Sequence, residues 1–100
     1  MGTLSFSVSD YGRRGTTVQS SKHVTSGAYT TSTSASNVED AGGDIILAKG
    51  QVMICHADEA MRIRFGSVAA TASTGHYIPA GAQREFEVTD AGFASVIDVA

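Results

Sequence analysis

The sequence predicts an all-β fold, a small β-sandwich or jelly-roll-like barrel of about seven or eight short antiparallel strands. Three observations carry that expectation. Ser and Thr supply 22 of the 100 residues, and their hydroxyls compete for the backbone hydrogen bonds a helix needs. No window shows the i, i+3, i+4, i+7 apolar repeat of an amphipathic helix, whereas a period of two recurs. Turn-forming clusters punctuate the chain every 8–12 residues or so, roughly the spacing of a many-stranded sandwich.

The elements follow in order. Leu4, Phe6 and Val8 alternate with Ser5, Ser7 and Ser9, which marks a first strand with one wet face. From Thr16 to Ser36, 12 of 21 residues are Ser or Thr, and the apolar residues thin to Val18, Val24, Ala28, Tyr29 and Ala35. Such a stretch buries little against a backbone entropy cost of roughly 1–2 kcal/mol per residue. Strand pairing is therefore expected over 28–34, with 10–25 partly arm-like. At its widest the arm is 1–25 of a single domain spanning 1–100.

The apolar runs DIILA (44–48) and QVMIC (51–55) meet at Lys49-Gly50, as a tight hairpin or as one strand with a Gly kink. Met61, Ile63 and Phe65 alternate with Arg62 and Arg64, and Phe86 and Val88 alternate with Glu85 and Glu87. FASVIDVA forms a last strand. Between them lies TGHYIPAGAQREFEV, which holds the single proline. Proline fixes φ near −65° and glycine accepts positive φ, so Pro79-Ala80-Gly81 reads as a corner between strands. Phe6, Ile63, Phe65, Phe86, Val88 and Ile97 are the expected core.

Composition narrows the function classes. Ten acidic and seven basic residues give a net charge of −3, which argues against a nucleic-acid partner. One cysteine excludes an internal disulfide, so packing or assembly must hold the fold. The first residues lack the basic and apolar regions of a signal peptide, and the apolar runs fall short of the ~18 residues of a membrane span. A soluble protein without a membrane partner is expected.

Candidate chemistry is sparse. Cys55-His56-Ala57-Asp58-Glu59 contains every common metal-ligand type, but no CxxC, HxxxH or HExxH spacing. It reads as a core cysteine followed by a polar turn, with an inert thiol in an apolar strand. Cupins place a metal-binding His in a PxGxxH pattern after a similar turn; Arg84 stands where that His belongs, and no HxH accompanies it. No metal, cofactor or catalytic residue is expected, and the chain is not expected to be an enzyme. The charges suggest a surface instead. With their strands as antiparallel neighbours, Arg62 and Arg64 would face Glu85 and Glu87, in pairs worth about 0–1 kcal/mol each if solvated. The alternative is that this face docks a partner. His76 and Tyr77 form the exposed edge beside it, which completes six candidate partner-binding residues.

Over residues 51–99 the pattern resembles small tailed-bacteriophage virion proteins of the head decoration, or cement, type. The likeness rests on the segment from Asp58 to Gly66, an Ala/Thr-rich loop from Ala69 to Thr74 and a strand into Tyr77–Gly81. It continues through the EFEV strand (Glu85 to Val88), an acidic Gly turn (Asp90 to Gly92) and a last strand through Ala94 to Ile97. The resemblance implies a virion protein made in the host cytoplasm. It would bind the outer capsid surface, bridge major capsid protein subunits and form a homo-oligomer, dimer or trimer. A head–tail connector, tail or fibre component is the nearest alternative. A glycan-binding sandwich is another, with Tyr77 beside His76 as its only platform in a chain without Trp.

Overall fold

The computed structural model describes residues 2–11 and 21–99, and these form an all-β protein. The strands are β1 (Thr3–Tyr11), β2 (Ser21–Thr30), β3 (Ser36–Asn37), β4 (Glu39–Asp40) and β5 (Gly43–Asp44). There follow β6 (Gln51–Ala57), β7 (Met61–Gly66), β8 (His76–Ile78), β9 (Gln83–Glu87) and β10 (Phe93–Asp98). Two four-stranded sheets run β2-β1-β6-β9 and β3-β10-β7-β8, and β4 pairs with β5. The sheets stay separate, so the arrangement is sandwich-like and the barrel is not closed.

Alternation sets the register. In the first sheet Leu4, Phe6 and Val8 oppose Ala57, Cys55 and Met53, and all six are buried. A slip of one residue would send that whole set to solvent. In the second sheet Ile63 opposes Val96 and Met61 opposes Ile78, again buried. The Phe6 ring lies across Gly27 on β2, 3.3 Å from where a Cβ would stand, so a side chain there would push the ring by a few tenths of an ångström.

Phe6, Ile63, Val88 and Ile97 are buried as expected. Phe65 and Phe86 are half-buried and pack against the core from its rim. Buried Val38, Ile45 and Leu47 come from the connection between the sheets, where alternation continues outside regular strand.

Three expectations are corrected. DIILA and QVMIC form neither a hairpin nor one kinked strand. Strand ends at Asp44, Leu47 instead exchanges backbone bonds with Gly92 (2.7 and 3.0 Å), and the chain turns where Gln51 N–H donates to the Ala48 carbonyl (3.2 Å). Residues 3–11 and 21–25 of the expected arm pair as strands β1 and β2, and β1 carries Leu4, Phe6 and Val8 into the core. The rest of the proposed arm, 12–20, lies outside the described residues. Pairing of 28–34 holds only through Thr30, since β2 ends there.

The third correction concerns the charges. β7 lies in the second sheet and β9 in the first, so Arg62 and Arg64 do not face Glu85 and Glu87 across a strand pair. β8 takes the edge of β7, and the Pro79 corner then carries the chain to the other sheet. There Ala82 N–H donates to the Pro79 carbonyl (3.1 Å), Gly81 sits at φ 78°, and its N–H reaches the Ala57 carbonyl (2.7 Å). A type II turn with Gly at its third position fits that geometry.

Candidate functional site

The two sheets leave different seams on their two sides. On one side the 36–40 segment runs beside β2, tied by Tyr29 Oη–H to Ser36 Oγ (2.8 Å) and Thr25 Oγ1–H to Asp40 Oδ2 (2.5 Å). The Thr25 hydroxyl, and then the Gly42 amide, hold the Asp40 carboxyl below its usual range. On the other side lie the edge strands β8 and β9, and side-chain rings fill the gap. His76 stands 4.9 Å from Phe86 and 6.2 Å from Phe65, and the two phenyl rings are 5.5 Å apart, all tilted. Such offset aromatic contacts contribute about 0.5–1.5 kcal/mol each beyond area burial. His76 shares the inward parity of Ile78, which places it opposite Ile63, while Tyr77 pairs with Arg62 on the outer face.

Arg62 has a structural task. Its Nε donates to the Ala72 carbonyl (3.0 Å), one terminal nitrogen donates to the Gly75 carbonyl (3.1 Å), and its guanidinium lies 5.3 Å from the Tyr77 ring centre. It thereby holds the 67–75 loop over the outer face of the second sheet. Ala70 is buried under that loop, and its N–H donates to Ser95 Oγ (3.0 Å). Arg64, one turn of the pleat further on, is half-buried, and no hydrogen bond or ion pair among the described residues takes up its guanidinium. Glu85 and Glu87 lie exposed on the outer face of the first sheet, opposite Ile54 and Val52.

Beside the ring seam are two adjoining hollows of about 410 and 360 Å³. They share Arg64, Phe65, Thr89 and Asp90; Lys49 and Val68 extend one, and Gly75 and His76 extend the other. Of the six candidate residues the structure therefore gathers Arg64 and His76 at one groove, with Arg62 and Tyr77 on the adjoining outer face. Glu85 and Glu87 belong to a different surface. Thr89, Asp90 and Lys49 were not visible as site residues, because they come from turns that only the sheet-to-sheet crossings bring to Arg64.

The described residues hold no cluster of three or more His, Cys, Asp or Glu side chains placed to bind a metal. Cys55 is fully buried, and desolvation pushes its thiol up to about 12, so a thiolate does not form at neutral pH. Asp58, from the same stretch, accepts the Thr3 N–H (2.7 Å) and anchors the start of β1. Compared with protein-family models, curated proteins and solved structures, the chain matches none.

Proposed function

We propose that the protein is a non-enzymatic capsid decoration protein, which binds the outside of an icosahedral phage head and bridges neighbouring major capsid protein subunits. What supports this reading is the pattern over residues 51–99 together with one structural observation. The side of the sandwich bounded by β8 and β9 presents edge strands, an aromatic seam and a groove whose Arg64 guanidinium is unpaired among the described residues. Edge strands with unpaired backbone groups suit strand addition by another protein. The outer face of the first sheet adds a second surface, a shallow hollow where Ser5 and Ser7 lie beside His56 and Ile54. The mechanism is mechanical: contacts laid across subunit junctions strengthen the shell against the pressure of packaged DNA. A homo-oligomer seated on a capsid symmetry axis would multiply those contacts.

The experiment mixes purified protein with expanded, empty capsids and measures bound copies per shell after sedimentation. Binding that saturates at a copy number matching the lattice supports decoration. Absence of binding, or copies confined to one vertex, refutes it.

A further inference from the structure

We propose that the groove beside the ring seam receives an extended segment of a partner protein that sets a carboxylate on Arg64 and a large apolar side chain on Phe65. The proposal rests on the reading of this side as a docking surface and names the chemistry of what docks. Arg64 is half-buried, lines both hollows and has no partner among the described residues. A guanidinium held partly out of water and not ion-paired among the described residues is best satisfied by a bidentate carboxylate. In the larger hollow Lys49 supplies a second cation against the single acid Asp90, so that hollow is locally positive on a chain of net charge −3. That charge complementarity selects an acidic segment.

The apolar half has its own floor. Phe65 is braced by Phe86 and His76, and Val68, which lines the larger hollow, is 53% exposed. The two hollows adjoin along Arg64, Phe65, Thr89 and Asp90, which gives neighbouring side chains of one extended segment a place each. A second copy of this chain pairing through β9 fits poorly. About a dyad normal to the sheet, residues of like parity oppose each other. A dyad at Arg84 therefore sets Arg84 against Arg84, one at Glu85 sets Glu85 against itself, and one at Phe86 sets Glu85 against Glu87. Like charges directly opposite are destabilising.

The test titrates the ¹⁵N-labelled full chain with acetyl-Gly-Phe-Glu-Val-Glu-Gly-amide and with its analogue carrying Lys at both Glu positions, followed by amide chemical shifts. The expected result is saturable shifts confined to 64–68, 75–76 and 89–91, with at least tenfold weaker binding of the lysine peptide. Arg64→Gln, checked for an unchanged fold by its spectrum, should weaken the acidic peptide at least tenfold, and exposed Lys49→Glu at least threefold. Absent or scattered shifts, or affinities that neither substitution moves, overturn the proposal. The capsid assay separates the two readings. Peptide binding without decoration overturns the capsid reading alone, and decoration without peptide binding overturns the groove.

Discussion

Asp98→Ala should cost the fold about 2–4 kcal/mol, out of proportion to a single change near the end of the last strand. Asp98 is 8% exposed on β10, and its carboxylate joins segments far apart in sequence. Oδ1 accepts the Thr31 hydroxyl, Oδ2 accepts the Gly2 N–H at 3.2 Å, and the Asp98 N–H itself donates to the Ser32 carbonyl at 2.8 Å. Removing the carboxylate strands at least two donors, one of them on fully buried Thr31. Each buried unsatisfied donor costs about 1–3 kcal/mol, and the Gly2 and Thr31 donors are both buried. For a domain of this size about 3 kcal/mol corresponds to a midpoint drop of roughly 12–20 °C. Calorimetry or urea unfolding measures it, in a cycle with Thr31→Val. Asp98→Ala with Thr31→Val should lose less than the two single losses summed, because the stranded hydroxyl is gone. A single-mutant loss below about 0.5 kcal/mol, or strict additivity, would refute the network.

Other consequences are as direct. A Cβ on Gly92 would stand 2.9 Å from the Gly66 carbonyl oxygen at a φ of 139°, so Gly92→Ala should destabilise by about 2 kcal/mol or more in urea unfolding. The Cys55 thiol is raised from 9.0 to about 12, so folding favours its protonated form. Its contribution to stability is therefore complete below about pH 9 and declines as pH rises towards 12, and alkylation at pH 8 should proceed only with denaturant present. Arg62→Ala should free the 67–75 loop, seen as faster amide exchange at Thr71 and Thr74 with under about 1 kcal/mol lost globally.

Much of the fold was legible because period-two alternation is a local property. Ser5 and Ser7 out with Leu4 and Phe6 in, or Arg62 and Arg64 out with Met61 and Ile63 in, follow from the pleat alone. Which strands become neighbours is non-local, and there the charges misled: opposite signs on β7 and β9 suggested pairing, but the Pro79 corner takes β9 to the other sheet. The same corner was correctly read from Pro and Gly, since φ preferences are intrinsic to those residues. The core supplied by Val38, Ile45 and Leu47 escaped a strand-by-strand reading because it alternates without a ladder. Of the site, exposed His76 and Tyr77 were visible as an edge, whereas the inward parity of His76 with Ile78 was the available sign of the ring seam. The groove itself depends on turns at 49, 66–68 and 89–91 converging, which no local pattern encodes.

We propose that the β8–β9 side meets another protein on a capsid lattice. A cryo-EM reconstruction of expanded capsids incubated with the protein tests it most directly. Density is expected at regular lattice positions, with Arg64, His76 and Tyr77 turned towards the capsid subunits. Bare capsids, or lattice copies attached with that side facing solvent, would contradict it.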